Sequence, residues 1–493
     1  MKTLLINPRT PPTFWSFEGA LKFIGKKSSE PPLGLLTVAA LLPPQWEVRL
    51  IDLNVRPLED RDIEWADLVF LSGMSVQRSS FTEAARRCRE LNKRVVAGGP
   101  LITMEPESRE LVDHYVLGEA ESILPELIRD AEAGELKRSY AADGYPDLTD
   151  SPIPRWELLD LSAYANLSLQ YSRGCPFDCD FCNIAVLNGR GVRTKSKEQF
   201  IAEVDSVYRL GWRGALFIVD DNFIGNKTKL KREILPALAA WQEERGYPFT
   251  LTTESSINLA DDDELLGLVR AAGFDHVFIG IETVNDDGLA ECGKSQNRRR
   301  SMLDSVRKLQ HSGLVVSAGF IIGFDSDPEN IFELQSAFIQ ESGIPMAMVG
   351  LLSAPTGTKL YKRLDAEHRL RSHMSGNNMD GTLNFEPRLD ETFLREGYRR
   401  LVRSLYAPRA YFARLRTFLD GYGGPAARPI SITPTQVAAL FRAFWKLGVR
   451  DESRGYFWGL LFSSLLRRPR KLVTAITMAI YGYHFRGIAE ALG

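Results

Sequence analysis

Three cysteines within eight residues constrain this chain more than any other feature. They stand in Arg173-Gly-Cys175-Pro-Phe-Asp-Cys179-Asp-Phe-Cys182, a CxxxCxxC spacing that directly follows the strand-like run LSLQY at 167–171. Three thiolates can hold three irons of a [4Fe–4S] cluster and leave the fourth iron without a protein ligand. Structural zinc asks for four ligands, usually from paired CxxC knuckles. This chain has five cysteines and six histidines in all, no second CxxC, and no histidine spacing that would complete such a site. Cysteines clustered in this way point to a metal in a reducing compartment rather than to disulfides. Of the other two, Cys88 lies in the helical pattern EAARRCREL and reads as a packing residue. Cys292, in ECGKSQNRRR, has no evident activating neighbour and reads as a loop cysteine rather than a redox thiol.

The cluster motif opens a series of alternating strands and helices. Strand-like runs fall at 167–171, 215–220, 249–255, 276–283, 315–324 and 346–352. Their spacing leaves room for one helix and two loops per unit, and six such units make a partial (β/α) barrel. Before the motif lies a second alternating series, with strands at 4–7, 48–52, 68–72, 94–98 and 114–118 and helical patterns at 33–42 and 80–91. That alternation predicts a parallel, doubly wound sheet with its ligand at the carboxyl ends of the strands. Residues 140–164 carry three prolines and four aspartates and read as a linker packed on the surface. Past residue 360 the strand signal fades into helix, with a Gly/Pro break at 421–429. The expected organisation is an N-terminal domain over 1–139, the linker, a barrel over 165–360 and a helical domain over 361–493.

CxxxCxxC with an aromatic residue, Phe181, before the third cysteine resembles the radical S-adenosylmethionine (SAM) superfamily over about 165–360. In that family the residue before the third cysteine packs near the adenine of SAM, and the resemblance gives Phe181 that place. It also gives SAM-binding places to Asp220, Asp221 and Asn222 after the second strand, Glu254 and Ser256 after the third, and Glu282 after the fourth. Gly323, in Gly319-Phe-Ile-Ile-Gly323, would let the backbone approach the adenine. Polar residues at the carboxyl ends of barrel strands are where an active site is built, although each alone could be a loop carboxylate or a helix cap.

Residues 1–135 resemble the cobalamin-binding domain that precedes many radical SAM barrels. The segments that carry the likeness contain Leu35, Ser72, Gly73, Met74, Ser75, Gly98, Gly99, Gly118 and Glu119, and the resemblance makes these the corrinoid-contacting set. No histidine precedes His114, so the DxHxxG cobalt ligand of methionine-synthase-like domains has no counterpart. Cobalamin bound without a protein histidine is implied, with Ser72–Ser75 covering its lower face. A corrinoid fold that only supports the barrel is the alternative.

The pairing implies a cobalamin-dependent radical SAM enzyme that moves a methyl group to an unactivated carbon. It would use two SAM per turnover, giving one S-adenosylhomocysteine and one 5′-deoxyadenosine. Ring closure or rearrangement without methyl transfer, and a non-catalytic corrinoid or iron–sulfur protein, remain open on the residues alone. An electron donor such as flavodoxin or ferredoxin is implied as partner.

Lys and Arg total 61 against 63 Asp and Glu, a net charge of −2 without the basic footprint of a nucleic-acid binder. The start reads as a strand rather than a secretory signal, so a cytoplasmic location is expected. The run Leu352–Arg363 and the Gly/Asn-rich stretch Gly376–Phe385 resemble the extra C-terminal region of a subgroup that includes hopanoid-lipid methylases. That stretch reads as a lid or substrate-facing loop. A small molecule or a lipid is the implied substrate. Near the end, the apolar runs 456–466 and 472–483 flank Arg467-Arg-Pro-Arg-Lys471. Each is too short to span a bilayer. They read either as helices lying on a membrane, giving peripheral contact and membrane association, or as helices buried on the barrel.

Overall fold

The computed structural model describes residues 1–425 and 434–492. Two six-stranded parallel sheets dominate it. The first holds β1 (Lys2–Asn7), β2 (Glu47–Asp52), β3 (Leu68–Ser72), β4 (Arg94–Gly98), β5 (His114–Leu117) and β6 (Ser139–Ala141), in the order β2-β1-β3-β4-β5-β6. Its inner strands β1, β3 and β4 are buried on both faces. Leu5, Phe70 and Val96 meet the helices Leu33–Leu41 and Ala120–Ala133 on one side, and Leu4, Val69 and Val95 meet Arg78–Glu90 on the other. Such double cover explains why these strands read as continuous apolar runs. β6 is a short edge strand that falls where the sequence suggests the linker begins.

The second series starts with β7 (Asn166–Leu169), followed by the small antiparallel pair β8 (Ser172–Arg173) and β9 (Arg193–Thr194) that frames the cysteine loop. It continues with β10 (Ala215–Ile218), β11 (Thr250–Ser255), β12 (Phe274–Glu282), β13 (Val315–Ile322) and β14 (Met346–Leu351). The order β14-β13-β12-β11-β10-β7 is sequential and parallel. The two end strands do not pair, so this is the open, partial (β/α)6 barrel. One face of β11–β13 packs under helices. The other, carrying Thr252, Glu254, Phe278, Gly280, Gly319 and Ile321, is less buried and faces the interior of the curl.

The 140–164 segment is not a surface strap. Leu148, Trp156 and Tyr164 are buried, and the Tyr164 hydroxyl donates to Asp52 Oδ2 at 2.9 Å. Aromatic anchors hidden among prolines and aspartates are lost in a composition average. The segment between β1 and the helix Leu33–Leu41 also leaves the first sheet. Its Ser28 and Ser29 carbonyls accept from Ala165 and Asn166 at the start of β7. Phe14 and Phe23 meet Phe485 and Tyr483 of the C-terminal helix Leu472–Ala491. The chain beyond residue 358 is mostly helical among the described residues. The second part of the expected 421–429 break lies outside them.

Candidate active site: a cysteine loop between two sheets

The cysteine loop leaves β8 through Gly174, whose φ of +89° and whose Cβ position, 2.7 Å from the Gly191 carbonyl oxygen, admit no side chain. Asp221 accepts from the Gly174 N–H and from Asn188 Nδ2, both at 2.9 Å, and so ties both ends of the loop to the end of β10. The Asp180 N–H donates to the Cys292 carbonyl at 2.9 Å, and Lys359 reaches Asp178 at 2.6 Å. Burial pushes the Cys182 thiol up to about 12 and raises Cys175 and Cys179 as well, with Lys294 countering at Cys179. Asn222 Nδ2 and Gln296 Nε2 stand 3.9 Å from Cys175 Sγ and Cys179 Sγ.

The carboxylates expected at the strand ends divide by environment. Asp220 is fully enclosed and accepts from the Tyr171 N–H at 2.8 Å and the Ser172 hydroxyl at 2.5 Å. It holds the end of β7 and faces no ligand space, contrary to the expectation for it. Burial, outweighing those bonds, pushes it up to about 7. Asp221 braces the loop. Glu282 has a φ of +66°, rare for a residue with a side chain, and is ion-paired with Lys294. Asn297 Nδ2 fastens that bend through the Gly280 and Ile281 carbonyls. Glu254 alone has no side-chain partner among the described residues. Burial, followed by Asp221, Glu30 and Glu282, pushes it up to about 8. Ser256 and Asn222 hydrogen-bond each other at the Cys175 side of the loop and line a separate recess. Phe181 meets Phe324 edge-on at 6.2 Å, beside Gly323, whose N–H donates to Asp327.

A cavity of about 460 Å³ lies between the carboxyl edge of the first sheet and the cysteine loop. Met74, Ser75, Gly99, Gly118 and Glu119 line it from the first sheet, Asn183, Ile184, Leu187 and Asp221 from the barrel, and His373, Met374 and Gly376 from the stretch after β14. Of the expected corrinoid-contacting set, Ser72, Gly73 and Gly98 do not line this cavity. The Gly73 carbonyl accepts from the Leu101 N–H. Leu35 is buried in the core on one face of the sheet, so it is a packing residue and not a wall of the cavity. Glu119 pairs with Arg173 and Arg193, and Arg173 also pairs with Glu121 at 2.8 Å. This near-buried network ties the first sheet to the residue that starts the cysteine loop.

Sequence patterns known from other proteins agree with this layout. The B12 binding domain matches residues 26–128, the radical SAM superfamily residues 169–334, and a domain of unknown function residues 358–492. The chain is similar to an uncharacterized methyltransferase of Synechocystis sp., 41% identical over 98% of this chain and 91% of that one. It is also similar to the hopanoid C-2 methylase of Rhodopseudomonas palustris, 32% identical over 94% of this chain and 90% of that one. This chain belongs to the cobalamin-dependent radical SAM methyltransferases. Two solved structures share its fold. The cobalamin-dependent SAM radical enzyme OxsB has a TM-score of 0.63, 14% identity, and coverage of 100% of this chain and 80% of that one. The methyltransferase TsrM of Kitasatospora setae has a TM-score of 0.58, 16% identity, and coverage of 75% and 79%.

The cofactors of a cobalamin-dependent radical SAM methyltransferase are a [4Fe–4S] cluster, SAM and cobalamin, and the residues present fit them. Three free, partly buried thiols on one braced loop suit three irons of a cluster; among the described residues no group of three or more ligating side chains is already drawn together around a metal position. The wide, mostly apolar cavity against Gly99 and Gly118 suits a flat macrocycle. Lys294, Gln296, Glu30 and His373 escape a strand-by-strand reading of this methyltransferase. Each reaches the site from a loop or from a distant part of the chain.

Proposed function

We propose that this enzyme transfers a methyl group to an unactivated carbon of an apolar, lipid-derived substrate. The observation that carries this reading is the cavity walled on one side by the first sheet and on the other by the cysteine loop. A corrinoid against the first sheet and a cluster on the cysteine loop would then share one space. When bound, these groups supply an electron, a 5′-deoxyadenosyl radical and a methyl group. The chain supplies placement. Cys175, Cys179 and Cys182 would hold the cluster, and Asn222 and Gln296 each point an N–H group at a cysteine Sγ, which would raise the cluster's potential. Glu254 is the free carboxyl of the barrel interior and would hold a polar group of SAM. Lys294, paired with Glu282, sets positive charge beside the cluster. Phe278 and the Trp15 ring, 4.8 Å apart, offer an apolar wall to the substrate next to Glu254, whose backbone is in register with Phe278.

The relative named as a hopanoid methylase supports a polycyclic lipid as the substrate class. A small flavin or iron–sulfur protein is the proposed electron donor, and the C-terminal helices the proposed membrane contact. The test is anaerobic turnover of the reconstituted enzyme with candidate lipids and methyl-labelled SAM. The expected result is labelled methyl in the product, with S-adenosylhomocysteine and 5′-deoxyadenosine formed in equal amounts. 5′-Deoxyadenosine formed with consumed substrate but no S-adenosylhomocysteine would replace methyl transfer by a rearrangement.

A further inference from the structure

Large apolar side chains left in solvent are not scattered over this molecule. Of the seventeen exposed among the described residues, ten lie between Val437 and Val473. On the helix Pro434–Trp445 and the turn after it, Val437, Phe441, Trp445 and Val449 recur every fourth residue, which places them on one stripe. On the helix Arg454–Arg467, Phe462, Leu465 and Leu466 form a second stripe. The exposures are large: 69% for Phe441, 54% for Trp445, 55% for Phe462 and 81% for Leu466. An aromatic row joins the stripes. Phe444 stacks on Trp458 at 5.8 Å, and Trp458 stacks on Phe462 at 5.6 Å. The opposite sides of these helices are ordinary core, with Ala443, Leu447, Phe457 and Leu460 buried. The exposed stripes are therefore a second apolar face and not loose packing.

The unpaired charge around this face is basic. Arg450, Arg454, Arg467 and Arg470 are exposed, and no carboxylate among the described residues lies within ion-pair distance of them. The acids nearest this face are already paired, Asp451 and Glu452 with Arg486 and Asp420 with Arg468. A second copy of the chain on this face would bring the same four arginines against these four. A partner that accepts both apolar side chains and unpaired guanidinium groups is a negatively charged lipid surface. No helix among the described residues is long and apolar enough to cross a membrane. Contact is therefore by lying on the surface.

The face also stands near the barrel. Arg442, on the first striped helix, donates to the Phe23 carbonyl at 2.7 Å. Phe23 ends the helix Glu18–Ile24, just after Trp15, whose ring meets Phe278 on the interior strand β12.

We propose that the exposed face of the helices Pro434–Trp445 and Arg454–Arg467 docks on an anionic lipid bilayer, and that docking sets the Trp15 side of the barrel toward the membrane. The link to the barrel rests on the lipid-substrate reading above, whereas the docking itself does not. The test uses the full, cluster- and cobalamin-loaded chain in vesicle flotation without substrate. Vesicles containing phosphatidylglycerol are compared with pure phosphatidylcholine, at low and high salt. Flotation with the anionic vesicles, at least about tenfold above the neutral ones and falling with salt, is expected. F441S/L466S, and separately R450S/R454S/R467S, should each lower it about tenfold while iron content and the cobalamin spectrum stay unchanged. Failure of the loaded protein to float, flotation indifferent to lipid charge, or variants that float like the parent would overturn the proposal. So would a self-association that F441S/L466S abolishes without any vesicle binding, which would assign the face to a second copy. Turnover on a detergent-dispersed lipid separates the two readings. If flotation holds and no lipid is methylated, docking stands and the substrate reading fails.

Discussion

Glu254 is the residue whose charge state matters most to the site. Its carboxyl is raised from the ordinary range to about 8, first by burial and then by the neighbouring Asp221, Glu30 and Glu282. A carboxyl raised on folding binds its proton more tightly in the folded than in the unfolded chain. Its contribution to stability is then complete below about 4.5 and lost as pH rises toward 8. Asp220, raised to about 7, acts in the same direction. The cofactor-free protein should therefore melt at lower temperature at pH 8 than at pH 6. E254Q should flatten that slope by up to about 1.4 kcal/mol per pH unit, measured by calorimetry. In the loaded enzyme the same substitution should cut SAM cleavage at least about tenfold, with iron content unchanged, because it weakens a charged hydrogen bond worth about 1.5–3 kcal/mol. Cleavage at the parent rate would remove Glu254 from the SAM site. At the cluster, Cys179→Ala should leave the protein without its approximately four irons, read by iron analysis and by loss of the visible absorption band.

The cysteine loop is an element whose shape is set from outside it. Gly174 has no room for a Cβ, and Asp221 and Arg173 hold its two approaches. Gly174→Ala should cost about 1–3 kcal/mol of loop strain and lower reconstituted iron, with the far-ultraviolet circular dichroism unchanged. Full iron loading in this variant would show that the loop tolerates the shift. R173A leaves Glu119 and Glu121 near-buried with a missing partner, a loss of about 3–5 kcal/mol. Because Glu119 also walls the cavity, this variant should weaken cobalamin retention as well as stability, whereas a packing defect elsewhere would lower stability alone. Gel filtration with hydroxocobalamin and denaturant unfolding together separate these outcomes.

At the scale of the molecule, the first sheet cannot be lifted away cleanly. The stretch after β1 carries Phe14 and Phe23 into the C-terminal helices, where Phe14 lies 5.2 Å from Phe485, and it extends the edge of β7. A fragment of residues 1–142 would keep both layers of its sheet core but expose those rings. It should bind a hydrophobic dye and associate, while the full chain should do neither to the same degree. A monomeric, dye-silent fragment would show that the stretch folds back onto its own sheet.

The cluster cysteines, eleven of the twelve strands in the two large sheets (all but the short β6) and the helical end of the chain are legible in the sequence because each is written locally. Ligand spacing sits within eight residues, and strand and helix periodicity needs only a window of similar size. Rossmann-like and barrel layers follow from the alternation. What the residues at strand ends do is not local. Asp220 and Asp221 are adjacent and share a motif, yet one holds a strand and the other a loop, because their side chains point to opposite sides of one turn. Leu35 sits in a segment like those of the cofactor wall and turns into the core. Glu30, His373, Lys294 and the Arg173 network reach the site from loops or from far along the chain, and no spacing rule relates such positions. The C-terminal runs were readable as apolar but not as buried or exposed. The tertiary structure decided that both hold, because two-sided apolar helices fill the core with one face and leave the other exposed.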